Sequence, residues 1–199
     1  MGARLHIEVL RQGAQVWNAW RRQNPDVAPK LEGARLLNLD LSGVDLRSAR
    51  LKAADLRRSK LVGATFEKAH LQGADFYGAD LTSVFFNGAR LQQAGLNRAC
   101  LVSASLVNVD ATQARFRDAD LSDADLQGSA LTHIDARGAS FIGSFLRRVD
   151  FTGSNLGGAD FTDASFEQTN LRGVTLRATR LPRLEGLGVI GEASSVTSL

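Results

Sequence analysis

From Leu31 to Leu181 an apolar or small residue stands at every fifth position without a slip: of 31 such positions, 21 are Leu, 8 are Phe, and the other two are Ala111 and Ala136. The position two residues earlier, from Ala34 to Thr179, is held small. Seventeen of its 30 residues are Ala, and apart from Leu39 and Ile134 the rest are Val, Ser or Thr. An α-helix turns about 100° per residue, so a step of five rotates each side chain by roughly 140° and smears the apolar set around the cylinder. A strand alternates faces, so the same step sends successive residues to opposite sides. Neither element can bury this pattern on one face. A chain that bends after every five residues can, because each central residue then points at the same axis.

The residue directly before the central Leu or Phe is Asp or Asn at 13 of 30 positions. Units such as "AADLR", "GADFY", "DADLQ", "GADFT" and "QTNLR" carry the A(D/N)LXX signature, and over residues 29–183 the sequence resembles the pentapeptide-repeat family. The resemblance implies an all-β solenoid, a right-handed quadrilateral β-helix in which four units complete a coil of 20 residues. At that length 155 residues make about eight coils, and stacking at about 4.8 Å predicts a rod roughly 37 Å long. In such a coil the central residue and the small residue two before it both point inward. Ala recurs because the narrow interior has no room for two large residues per side.

The exceptions test that geometry. At Ala136 the central site is small and Ile134, two before it, is large, so volume is moved and not lost. At Ala111 the partner is Val109, a smaller compensation, which predicts a local defect or bend. Residues 1–28 are expected to form an N-terminal helical cap. Ile7, Leu10, Ala14 and Trp17 fall at helical spacing within one amphipathic helix over 5–23, ended by Pro25 and Pro29, with Trp17 and Trp20 over the first coil. The tail, 184–199, carries Gly186, Gly188 and Gly191 where a helix would need Ala. Leu184, Leu187, Val189 and Ile190 are expected to cover the last coil, as a C-terminal cap or the seat of a two-fold homodimer like those of several family members.

Composition removes several classes of function. The 199 residues contain no 18-residue apolar run, no apolar leader followed by a small-residue cleavage site, and His6 where a myristoylation signal needs Ser or Thr. A cytoplasmic protein without a membrane partner is expected. Cys100 is the lone cysteine, so no intramolecular disulfide forms, and it precedes central Leu101, which points it out of the core. His70 and His133 lie about three coils, or roughly 15 Å, apart, too far to share a metal. No GxSxG, Walker or CxxC motif is present. The reading is of a non-enzyme with no catalytic residues, metal or cofactor.

Charge becomes informative when it is tallied by side. The chain carries 24 Lys and Arg against 21 Asp and Glu. Residues 20 apart share a side, and the side centred on Leu41, Leu61, Leu81 and onward holds Asp40, Asp80, Asp120, Asp123, Asp160 and Asp163 against Lys60 and the terminal Arg180 and Arg183. Its units alternate between Asp with Ser or Thr and the apolar Val62, Val102 and Ile142, so carboxylates recur about every 9.6 Å. Asp before the central residue is also family consensus, where it can bond nearby backbone. Asp123 and Asp163 lie off that consensus position.

Three functional readings follow. The family includes a quinolone-resistance branch, rods that resemble duplex DNA in size and negative surface, occupy the DNA-binding saddle of gyrase and protect it from poisons. The resemblance to that branch implies a DNA-mimicking protein whose acidic side binds DNA gyrase or topoisomerase IV, although six carboxylates over about 29 Å compare with roughly 17 duplex charges. The second reading is a protein-interaction scaffold acting through Tyr77, Phe85 and Phe145. The third, direct nucleic-acid binding by Arg57, Arg58, Arg98, Arg115, Arg117 and Arg137, lacks aromatic interleaving and is not expected.

Overall fold

The computed structural model describes residues 3–182 and 188–190. Two short helices open it, and every residue from Lys30 to Arg180 then belongs to a coil. Parallel bridges join each ladder residue to the one 20 further on, Asp80 to Cys100 and Cys100 to Asp120, for example. Because ladder residues recur every five, each coil has four sides. We number them by their first central residue: first (Leu31), second (Leu36), third (Leu41) and fourth (Leu46).

Every side is made in the same way. In the unit Leu121–Asp125, Ala124 N–H donates to Leu121 O at 3.1 Å and Asp123 has φ of 58°, the pattern of a type II turn. Leu121 and Asp123 donate to Ser140 O (2.7 Å) and Ile142 O (2.8 Å) in the next coil, and Asp125 donates to Ala104 O (2.9 Å) in the previous one. The third position of all 30 turns from Gly33 to Ala178 has positive φ. Glycine fills 12 of these and 18 carry side chains, so the stack imposes a conformation that isolated L-residues disfavour. Inside, the central Leu and Phe are buried, with Phe66, Phe76 and Phe86 forming one aromatic cluster and Phe141, Phe151, Phe161 and Phe166 another.

The exceptional positions behave unequally. Ile134 and Ala136 are both buried, as the exchange of volume requires. At Ala111 the ladder holds, Ala111 N–H reaching Ala130 O at 2.9 Å, but the turn before it is loosened as expected: Val109 N–H lies 3.3 Å from Leu106 O and donates to Ser129 Oγ at 3.1 Å. Large residues at the small position are accommodated by a device that their spacing does not reveal. Ser154 Oγ donates to Leu131 O (2.8 Å) and accepts from Ile134 N–H (3.1 Å), inserting a hydroxyl into the opened turn. Ser59 does the same for Leu39, and Ser129 for Val109.

At the amino end the single helix expected over 5–23 is two, α1 (Ala3–Leu10) and α2 (Ala14–Gln23). Gly13, at φ 98°, cannot continue a helix and separates them. Leu10 and Trp17 are fully buried, and Trp20 packs half-buried against them. The helices also end the ladder. In later coils the ladder N–H donates to the coil before; in the first coil Lys30 N–H donates to His6 Nδ1 (3.0 Å) and Asp45 N–H to Asn18 Oδ1 (2.8 Å). Trp17 Nε1 donates to Asp45 O at 2.6 Å, and Arg21 reaches Arg47 O and Val27 O. At the other end Leu184 and Leu187 lie outside the described residues. Val189 packs half-buried on the core, whereas Ile190 is exposed and pairs with Asn170 as a ladder residue. Ile190 extends an outer column and does not cover the interior, because the register directs ladder side chains away from the axis.

Candidate functional site: the acidic column and its basic neighbour

Four of the five N–H groups in a unit are bonded by the turn and the two neighbouring coils, which leaves the residue after the central Leu or Phe. In the unit of Leu121 this last N–H, from Ser122, donates to Asp120 Oδ1 at 3.0 Å, and the Ser122 hydroxyl donates to the same oxygen at 2.6 Å. Asp40 with Ser42, Asp80 with Thr82 and Asp160 with Thr162 repeat the arrangement. The Asp before the central residue thus closes the backbone account of its own unit as an Asx turn. The alternation along the third side has the same origin: Ser or Thr follows at the second position only where Asp is present. The pair also occurs on the first side, in Asp110 with Thr112 and Asp150 with Thr152.

The ladder from Asp40 through Lys60, Asp80, Cys100, Asp120, Ser140 and Asp160 to Arg180 is continuous, so these carboxylates stand in one line. Ser42 holds the Asp40 carboxyl below its usual range, through its hydroxyl and then its N–H. Thr162 does so for Asp160, with Arg180 adding a bond at 3.1 Å. Asp123 and Asp163, beside the line, occupy the left-handed turn position, where Asp, Asn and Gly are best tolerated. Both are exposed.

The second side differs. Asp55 grips Arg57 through both oxygens (2.8 and 2.7 Å), Asp135 takes Arg137 and Arg117, and Arg98 pairs with Asp118 at 3.8 Å while donating to Tyr77 Oη at 3.1 Å. Arg57 holds the Asp55 carboxyl low, first through its side-chain bond. Of the six arginines of the nucleic-acid reading, four are engaged with carboxylates, and Arg58 and Arg115 have no ion-pair partner among the described residues. Phe85 and Phe145 share the ladder of the fourth side and are 44% and 50% exposed, whereas Tyr77 lies half-buried on the second side, so the three do not form one surface.

Cys100 sits half-buried, its Sγ 3.4 Å from Thr82 Oγ1. Among the described residues no cluster of three or more His, Cys, Asp or Glu could hold a metal, and no helix is long and apolar enough to cross a membrane. The residues that sequence reasoning missed are His6, Asn18 and Arg21, which terminate the first coil. Only Pro29, directly before the first ladder residue Lys30, marks in the sequence where that edge begins.

The profile of the family described as "Pentapeptide repeats" matches in eight copies, over residues 30–61, 59–98, 99–135 and 131–168. The chain belongs to the pentapeptide-repeat family. Its members are right-handed β-helices. Among solved structures, it is similar to HetL, a pentapeptide repeat protein involved in heterocyst differentiation regulation from the cyanobacterium Nostoc, at 25% identity over 86% of this chain and 92% of that one, with a TM-score of 0.39. Full-length QnrB1, a plasmid-mediated fluoroquinolone resistance protein, is 20% identical over 80% and 94% of the two chains, with a TM-score of 0.46. A pentapeptide repeat protein from the thylakoid lumen of Arabidopsis thaliana is 29% identical over 50% and 70%, with a TM-score of 0.27. No curated protein sequence matches.

Proposed function

We propose that this pentapeptide-repeat chain is a non-enzymatic binding rod whose third side engages the basic, DNA-binding surface of a type II topoisomerase, DNA gyrase or topoisomerase IV, and protects it from a poison. The observation that carries this reading is collinearity: Asp80, Asp120 and Asp160 share one ladder, with exposed Asp123 and Asp163 beside it. A line of carboxylates recurring about every 9.6 Å offers a basic groove a salt-sensitive row of contacts. Its charge density is well below that of a duplex, so the contact is a strip and not a wrapped surface.

The Asx turns decide how to test it. Asp-to-Lys reversals would break the turns together with the charge, whereas Asn keeps the accepting oxygen. Asn155 Oδ1 already accepts Gly157 N–H, and Asn170 Oδ1 accepts Arg172 N–H. The quadruple variant Asp120→Asn, Asp123→Asn, Asp160→Asn and Asp163→Asn therefore removes charge and leaves the coils intact. In a gyrase supercoiling assay with a poison, the parent protein should protect and the variant should not; equal protection would remove the acidic strip from the mechanism. The scaffold reading has its own support in Phe85 and Phe145, exposed three coils apart on one ladder. Truncating both to Ala should then abolish partner capture while the Asn variant retains it.

A further inference from the structure

Gly95 is the sole glycine among the ladder residues from Lys30 to Ile190. Its backbone does not require glycine: φ lies outside the left-handed region, its N–H donates to Ala74 O at 2.9 Å, and its carbonyl accepts from Phe76 N–H at 2.7 Å, as at any other ladder position. A side chain there would instead displace its neighbours. A Cβ there would lie 3.1 Å from Asp75 Oδ1 and 3.2 Å from Arg115 Nη2, the groups that converge from the coils on either side and bury Gly95.

Beside these two side chains runs a groove of about 460 Å³. It extends from Leu37 and Asn38, past Arg58 and Tyr77, to Asn97 and Arg115, which spans four coils or about 19 Å. An extended chain of about six residues has that length. Three guanidiniums, of Arg57, Arg58 and Arg115, line it against the single carboxylate of Asp75. Asp55 already holds Arg57, so the uncommitted cations are Arg58 and Arg115, one near each end. Tyr77 supplies apolar contact between them, and Leu37 does so at the groove's start. A nucleic-acid strand fits poorly: Asp75 would face its phosphates, and Tyr77 is the one aromatic ring in the groove. A peptide can instead present an N–H to Asp75.

We infer that this groove binds an extended acidic peptide segment of a partner protein, with carboxylates on Arg58 and Arg115 and its backbone passing Asp75. The site lies on the side adjacent to the acidic column and does not depend on the topoisomerase reading. The test uses the full chain and a fluorescein-labelled hexapeptide of alternating Glu and Leu, read by fluorescence anisotropy. Saturable binding is expected, weakening with added salt. Arg58→Gln and Arg115→Gln should each weaken it about tenfold. Gly95→Asn, which installs the residue found at position 155 of the same ladder, should keep the melting temperature and abolish binding. The quadruple Asp-to-Asn variant should bind the peptide as the parent does. Absence of saturable binding, binding that survives Gly95→Asn in a folded protein, or tighter binding of a six-nucleotide oligothymidylate at the same groove would each overturn the inference. Should Gly95→Asn fail to fold, unchanged affinity in both exposed arginine variants would do so.

Discussion

The ladder of Asp40, Asp80, Asp120 and Asp160 and the ladder of Asp55, Asp75, Gly95 and Arg115 have the same backbone and turns, and hang on the same core. They differ only in what the side chains do with the carboxylate. On the third side each Asp oxygen first serves its own turn, with a hydroxyl as second donor, so the charge stays outward and unpaired apart from Asp160 with Arg180. On the second side the donors are guanidiniums, which consume the charge, and a groove lined by Arg58, Asp75 and Arg115 runs along the ladder. In a solenoid, then, the consensus Asp is a structural residue whose electrostatic value depends on the residue two positions later.

The largest expected effect strikes what both columns share. Leu101→Ala, fully buried in the middle of the stack, should cost about 2 to 5 kcal/mol and lower the melting temperature steeply, measured by thermal denaturation. Ser154→Ala, which leaves Ile134 N–H and Leu131 O without their bridging hydroxyl, should cost about 1 to 3 kcal/mol, and the loss should shrink when Ile134 is also made Ala so that the turn can close.

The cap sharpens the comparison from outside it. His6 is buried, and that burial, first among its influences, lowers its pKa while Nδ1 accepts Lys30 N–H. The unfolded chain therefore takes up the proton first, so the cap's contribution is complete above pH about 6.5 and declines as pH falls below it. Tryptophan fluorescence of Trp17 and Trp20, followed from pH 8 to 5, should report loosening that His6→Gln, with an accepting amide and no titration, suppresses. The smallest effect on stability is expected for Asp120→Asn, within about 0.5 kcal/mol by denaturation, against a larger loss for Asp120→Ala, which orphans Ser122 N–H. Equal losses for the two would mean that charge, not capping, explains this Asp.

Much of this was legible in the residues. The unbroken fives from Leu31 to Leu181 give the repeat unit, and the small residue two before each centre gives the inward pair, because close packing leaves no other way to bury both. The exchange at Ile134 and Ala136 could be read for the same reason. The break at Gly13 was hidden because apolar spacing continues across it. The loosened turn at Val109 could be read from the small residue at Ala111, but the Ser129 hydroxyl that bridges it was hidden because it comes from the next coil.

The sequence by itself determined the register: five residues to a side, apolar at one position, small at another, and Asp clusters that fall on one side once 20 residues make a coil. Tertiary structure decided what the polar groups are for. Whether a carboxylate caps a turn, binds a guanidinium or faces solvent depends on which N–H the neighbouring coils leave unbonded and on which side chains stand one coil above and below. Those neighbours are 18 to 23 residues away in the chain and become adjacent only when the coils stack.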